Sequence, residues 1–463
     1  MQALAQIEAP WRDPVDVLSA VAETPWAIGF LSGGEGARWS YVAAEPDAVL
    51  TIAPADRTDA FEALAAFAGP VACADPDGPP FQGGVAGLAA YELGDRVERL
   101  GLARLDDWPD LACGRYPALL AFDHPGRRLL AIGRGADAAA ADGRARQALA
   151  WLDRPAPAPR PLHARLQADD PDAYEAAVAE VTARIAAGEI FQANIARRWR
   201  GRLPTEARPF DLLAALRDRS PAPFAAYLRL PDRAVVSNSP ERFVQVRREG
   251  QTLAVRTEPI KGTAPRGRSP AEDAANAAWL SASEKDRAEN LMIVDLMRND
   301  LSRVCAVGQV ATPELFRVAS FANVHHLVST VTGRLAPGMS AVDLLRASFP
   351  PGSITGAPKV QAMKIIAGLE APRGPFFGAM FHLGFDGGLD SNVLIRTAAF
   401  VRDQAGWRVE ARAGAGIVAD SRPRLEREET EAKISALQAA FSGDAQTGPH
   451  PEAPPEPSQP LTG

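Results

Sequence analysis

Three observations predict a mixed α/β fold. Short apolar runs such as Ala118–Phe122 and Leu129–Ile132 have the length of strands. Other segments place apolar residues at helical spacing, so helices are interleaved with those strands. Hydrophobic residues make up 46% of the 463, enough for a substantial core. At roughly 150 residues per domain the length suggests about three domains, or one large α/β domain.

Taken in order, Phe61–Phe67 (FEALAAF) reads as a helix. Gln82–Gly94 (QGGVAGLAAYELG) sets Gly83, Gly84 and Gly87 in an apolar run, as in a strand entered through a turn. Gly83–Gly84 lacks the Lys-Ser/Thr end of a phosphate loop. Residues 154–161 (RPAPAPRP) resist helix and sheet alike. They divide the chain into an N-terminal region 1–153, a linker or loop 154–167, a main region 168–442 and a tail 443–463 whose Pro, Gly and polar content predicts disorder. A helix starts near Pro171, with Tyr174, Val178, Val181 and Ile185 on one face and Gly188 as its stop.

Composition narrows the function. Fifty Lys+Arg against 57 Asp+Glu leave a net charge of −7, which speaks against a nucleic-acid binder. No run of 18 apolar residues predicts a membrane span, and Glu8, Arg12 and Asp13 interrupt any signal pattern. Three scattered cysteines suit neither a disulfide scaffold nor a Cys-based zinc site. A soluble, cytoplasmic protein is expected. Only five of the 50 basic residues are lysine: Lys261, Lys285, Lys359, Lys364 and Lys433. Arginine stays charged, whereas lysine can lose its proton and act as a nucleophile.

Two helices set carboxylates beside apolar stripes. In Ser281–Val304, Ser281 or Ser283 can cap, and Met292, Ile293, Leu296 and Met297 form the stripe. Asp286 and Glu289 lie one turn apart at its edge. They suit a hard divalent cation, or merely an acidic first turn favoured by the helix dipole. The second helix starts near Pro423, with Ile434, Leu437 and Phe441 buried. Glu426, Glu429 and Lys433 share one side of it, as cation ligands or as an ordinary i,i+4 ion pair. Together the helices can supply a two- or four-carboxylate Mg²⁺ site.

Pro350–Lys359 (PPGSITGAPK) runs into a helix with Pro358 at its first position, and Ala413–Gly416 (AGAG) reads as a second Gly-rich loop. Backbone N–H groups in either can bind an anion, or each is an ordinary turn. Arg396 sits in a strand-like apolar run, Val393–Thr397, and needs a carboxylate partner, from a ligand or from the protein. His325 and His326 point to opposite faces of a strand, so they cannot share one metal.

At Val255–Arg266 (VRTEPIKGTAPR) the sequence resembles the chorismate-utilising enzymes. The resemblance continues through Ser239–Phe243 (SPERF), Lys285–Asp300 (KDRAENLMIVDLMRND), His325–Thr330 (HHLVST), Phe349–Lys359, Ile395–Thr397 (IRT) and Gly414–Ser421 (GAGIVADS). It covers nearly all of residues 170–440. A weaker match at Trp39–Pro46 and Pro80–Gly94 extends it toward the N-terminus. The P-I-K-G-T form resembles the aminodeoxychorismate synthase component I branch; anthranilate synthase large subunits usually carry alanine in place of that lysine.

The resemblance implies two stacked antiparallel sheets with outer helices and a catalytic region at 168–442. It implies Mg²⁺ on Glu289 and Glu429, supported by Asp286 and Glu426, with Lys433 beside them. Arg396 would grip the enolpyruvyl carboxylate of chorismate, assisted by N–H groups near Gly414 and Gly416. Thr355 and His326 would line the pocket, Glu241 would be the general acid and Lys261 the nucleophile. The implied product is 4-amino-4-deoxychorismate, for p-aminobenzoate and folate synthesis. Its ammonia would come from a glutamine amidotransferase subunit, since this chain shows no nucleophile elbow or Cys–His pair of its own. Gln192 stands where isochorismate and salicylate synthases have the lysine that activates water, which argues against hydrolysis. Phe381–His382 departs from the family's Gly-Tyr, expected next to the substrate. Leu31–Gly34 lies near where some relatives bind tryptophan. Two rival readings are an anthranilate synthase large subunit and a regulatory protein that binds chorismate or tryptophan without turnover.

Overall fold

A computed structural model describes residues 3–34, 36–321 and 324–443. The Pro-rich stretch beyond residue 443 lies outside the described residues. Strands form where the apolar runs predict them. Ala118–Phe122 lies in the strand Ala118–Asp123, and Leu129–Ile132 in Arg128–Gly135. Gly83 turns the chain at φ 99° into the strand Gly84–Ala89. A Cβ at Gly84 would lie 2.0 Å from the Leu383 carbonyl oxygen, so the close strand pairing there excludes any side chain.

The helices start and stop on capping signals. Asp59 caps Ala60–Ala68 through the N–H groups of Phe61 and Glu62. Asp170 caps Pro171–Ala186, and Gly188 follows at φ 78°. Ser283 caps Glu284–Ser302, accepting from the Asp286 N–H. Pro423 opens Pro423–Ser442 and Gly443 closes it in the left-handed region. Residues 155–166 carry neither helix nor strand.

The strands make two antiparallel sheets. One runs in the order Ala3–Ala9, Arg128–Gly135, Ala118–Asp123, Trp39–Ala43, Ile28–Leu31, Phe224–Arg229, Arg233–Ser239, Thr397–Asp403, Gly406–Ile417, Gln192–Leu203 and Gly356–Ala357. The other runs Ile260–Pro265, Val324–Arg334, Thr252–Thr257, Arg242–Glu249, Leu389–Asn392, Ala379–Gly384, Gly84–Ala89, Leu111–Tyr116 and Ala48–Ile52. The sheets stack on a core that takes Ile28, Ile132 and Val235 from the first and Val85, Phe243 and Leu389 from the second. Helices Pro14–Val21, Pro209–Arg219 and Pro423–Ser442 cover the first sheet's outer face, burying Leu18, Phe210, Leu213, Ile434 and Phe441. Each such side chain contributes about 1.5–3 kcal/mol on burial.

Two local readings are corrected. Ala413–Gly416 is strand and not loop: it lies in the 12-residue strand Gly406–Ile417, paired along Gln192–Leu203. Val393–Thr397 is no continuous strand. The chain leaves one sheet at Asn392 and enters the other at Thr397, and Arg396 makes the bend at φ 50°. A second crossing lies beside it, where Arg233–Ser239 and Arg242–Glu249 belong to different sheets and Pro240–Glu241 joins them. The two crossings are bonded to each other: Val393 N–H donates to the Glu241 carbonyl (3.1 Å) and Asn238 N–H to the Arg396 carbonyl (3.0 Å). Among the described residues no helix is long and apolar enough to span a membrane.

Candidate active site

Lys261 sits on the strand Ile260–Pro265, at an irregularity in its pairing with Val324–Arg334. Gly262 follows at φ 82°, and a Cβ there would lie 2.9 Å from Cβ of Asp286. The bare glycine thus lets the helix Glu284–Ser302 seat against the lysine strand. Asn290, fully buried, fastens the seat. Its amide donates to the carbonyls of Leu327 (3.2 Å) and Pro259 (3.5 Å), and Ser329 Oγ donates to it (2.5 Å). The helix therefore buries Asn290, Ile293, Val294, Met297 and Leu301, while Met292 and Leu296 are only half-buried. The expected apolar stripe is rotated because a polar side chain with three buried partners takes the central place.

From the first sheet, Gly416 approaches the same amine. A Cβ on Gly416 would stand 2.8 Å from Lys261 Nζ and 2.6 Å from Gln192 Nε2. Gln192 is fully buried, and neither its amide nitrogen nor its oxygen has a hydrogen-bond partner among the described residues. An orphaned amide in the core costs about 1–3 kcal/mol. Gly414 packs against Asn194 Oδ1, also unpartnered, and its carbonyl accepts from Lys433 Nζ (2.9 Å).

The carboxylates converge from the two helices. Lys433 pairs with Glu429 at 2.5 Å and Lys285 with Glu289 at 3.8 Å. Burial raises the pKa of Glu289, opposed by Lys261 and Lys285 and reinforced by Asp286 and Glu429. Glu426, 6% exposed, is raised by burial and then by Glu429. Burial would raise Glu429 as well, but the Lys433 ammonium outweighs it and the net shift is downward. Asp286 accepts from Ser283 Oγ at 2.5 Å. Among the described residues no three His, Cys, Asp or Glu side chains close on a single point. The oxygen donors nonetheless fit a cation such as Mg²⁺, which uses one or two protein carboxylates and keeps the rest of its shell for water and ligand. Glu289 and Glu429 are the pair whose mutual repulsion such an ion would relieve.

Burial pushes the Lys261 ammonium pKa down, opposed by Glu289 and Glu241 and reinforced by Lys433. Glu241, 5% exposed, is pushed up to about 7 by burial, against a hydrogen bond from Ser353 and the Lys261 charge. His326 is held neutral: burial and the Arg396 charge push it down to about 4. Its Nδ1 faces Thr263 Oγ1 at 3.0 Å, and its buried Nε2 has no hydrogen-bond partner among the described residues. His325 points the other way, to Ser320 and Asp273. Arg396 is half-buried, and burial alone lowers its pKa; no carboxylate among the described residues counters its charge. Thr355 is fully buried, and its hydroxyl donates to the Pro351 carbonyl (2.8 Å), so it braces the loop. The following helix begins at Lys359, with Pro358 as its N-cap.

Phe381 and His382 are not in this cluster. Phe381 is fully buried, and His382 packs among Phe81, Phe30 and Tyr41 with centroid distances of 4.6, 5.0 and 5.4 Å. His382 lines a separate cavity of about 1350 Å³ with Arg242, Glu258 and Ile260, and Leu31 and Ser32 border it too. Alternation along the strand puts Ile260 toward that cavity and Lys261 toward the carboxylates.

This fold and site define a chorismate-binding protein, and the comparisons agree: the family model described as chorismate binding enzyme matches residues 28–439. The chain belongs to that family. More particularly, it is 39% identical to aminodeoxychorismate synthase component 1 of Klebsiella aerogenes, over 94% of this chain and 99% of that one. It is 40% identical to anthranilate synthase component 1 of Thermus thermophilus, over 79% of each. A crystal structure of anthranilate synthase component I from Streptococcus pneumoniae superimposes with a TM-score of 0.76 at 29% identity, covering 88% of this chain and 93% of that one.

Proposed function

We propose that this chain is the aminating component of an aminodeoxychorismate synthase, converting chorismate and ammonia to 4-amino-4-deoxychorismate. The observation that carries this reading is the lysine amine at position 261, half-buried between the sheets and pressed against Gly416. Similarity to both synthases leaves the position of amination open, and the lysine in P-I-K-G-T favours C4.

Arg396, with no carboxylate among the described residues to answer it, would bind the enolpyruvyl carboxylate through a bidentate pair. Mg²⁺ held by Glu289 and Glu429, with Asp286 and Glu426 behind them, would neutralise the ring carboxylate and fix its place. Neutral Lys261 Nζ adds to C2; both double bonds of the ring diene shift, from C1–C2 to C1–C6 and from C5–C6 to C4–C5, and the C4–O bond breaks. Glu241 gives its proton to the departing hydroxyl, which leaves as water. Ammonia then attacks C4, both double bonds return to their first places, and the lysine amine is expelled from C2. The Glu241 carboxylate regains its proton from the new C4 ammonium, and the lysine leaves as the neutral amine. Gln192, an amide and not a base, does not activate water. The ammonia would come from a glutamine amidotransferase partner, in a soluble cytoplasmic complex serving p-aminobenzoate and folate synthesis.

The test is product identification from chorismate, Mg²⁺ and an ammonium salt, with and without a glutaminase partner. The expected product is 4-amino-4-deoxychorismate. Fluorescent anthranilate as the main product would overturn the assignment in favour of the C2-aminating relatives, and tight binding without turnover would identify a regulatory protein.

A further inference from the structure

Three of the five lysines in this arginine-rich chain stand at one carboxylate cluster. Lys261 and Lys433 have places in the reading above; Lys285 has none. It lies one turn before Glu289 on the same helix, its side chain 59% exposed and its Nζ 3.8 Å from Glu289 Oε1, while that carboxylate is 16% exposed. Its charge also reaches across to the second helix, where Glu426 and Glu429 feel it. A flexible ammonium thus meets Glu289 from the solvent side, while Glu429 is paired with Lys433. We propose that Lys285 is the counter-cation of Glu289 in the metal-free protein, occupying that carboxylate until a divalent cation displaces it, and so setting how weakly the metal binds. The proposal rests on the magnesium reading and adds a residue to it.

The choice of lysine fits this role. A guanidinium would hold a carboxylate through a planar two-point fork, whereas an ammonium on a four-carbon stem is a point charge that can swing away. Its exposure gives it water to swing into. When the cation arrives, the Lys285–Glu289 contact breaks, the ammonium is hydrated, and Glu289 passes from one positive partner to another with no proton exchanged.

Direct binding of Mn²⁺, followed by loss of the free-ion EPR signal, tests this without turnover. The proteins to compare are wild type, Lys285→Gln, Lys285→Arg and Lys285→Glu, each the full chain without chorismate. Lys285 is exposed, so all four are expected to fold, and far-ultraviolet circular dichroism checks it. The Gln variant is expected to bind Mn²⁺ about two- to fivefold more tightly, the range set by an exposed ion pair. The Glu variant should bind more tightly still, and the Arg variant should bind no more tightly than wild type. A Gln variant equal to or weaker than a wild type that binds overturns the counter-cation and leaves the magnesium reading in place. An Arg variant as tight as Gln also overturns it, because charge would not be the cause. No binding by any of the four overturns both readings.

Discussion

The proposed reaction would need Lys261 and Glu241 in protonation states opposite to those usual at neutral pH, and their surroundings push each that way. Burial lowers the amine and raises the carboxyl to about 7. A nucleophilic lysine would work deprotonated, so activity should fall as pH drops through its lowered pKa. A general acid at Glu241 would work protonated, so activity should fall as pH rises past about 7. A bell-shaped kcat/KM profile is expected, and Glu241→Gln should flatten its alkaline limb while lowering kcat about 10²–10⁴-fold. Lys261→Ala should abolish most C4 amination, read by product analysis; unchanged turnover would remove the covalent route. Glu289→Gln should shift the Mg²⁺ concentration needed for half-maximal rate upward, and an unaltered titration would deny it a ligand role. At this scale the lysine was legible because P-I-K-G-T names it. Asn290 was not, because its importance lies in partners 31 to 39 residues away in sequence.

Helices and strands were legible in unequal measure. Caps and periodicity located Pro171–Ala186, Glu284–Ser302 and Pro423–Ser442. Ala413–Gly416 misleads because glycine marks turns in isolation, whereas here small residues let Gln192 and Lys261 come close to a paired strand. Gly416→Ala should therefore cost little stability, within about 0.5 kcal/mol, since the atoms in its way are the far ends of flexible side chains. It should sharply reduce turnover by displacing the Lys261 amine, a split seen by comparing chemical denaturation with the rate. Gly262→Ala is the converse case. It adds a Cβ at a left-handed residue and against the Asp286 stem, so a loss of about 1–3 kcal/mol is expected, with the helix pushed off its seat.

Across the whole molecule, each sheet joins a block of strands from residues 3–135 to a block from residues 192–417 at a single pairing. Strand order arises from pairings hundreds of residues apart, which local pattern does not encode. Ile28–Leu31 pairs with Phe224–Arg229, and Gly84–Ala89 with Ala379–Gly384. A fragment holding residues 168–442 would bare both partner edges and half the inter-sheet core. It is expected to be insoluble or to lack a cooperative unfolding transition, and co-production with residues 1–153 should rescue it. A soluble, cooperatively unfolding fragment would instead establish 168–442 as an independent unit.

The paired crossings bind the two layers at one point, and each connection carries one group of the proposed site, Glu241 on the first and Arg396 on the second. Those two groups therefore travel as one rigid bracket spanning both layers, while Lys261 rides on a single layer. Under the proposed reaction, any slip between the layers would change the reach from bracket to amine, so the turnover rate would double as a gauge of how firmly the two sheets are clamped.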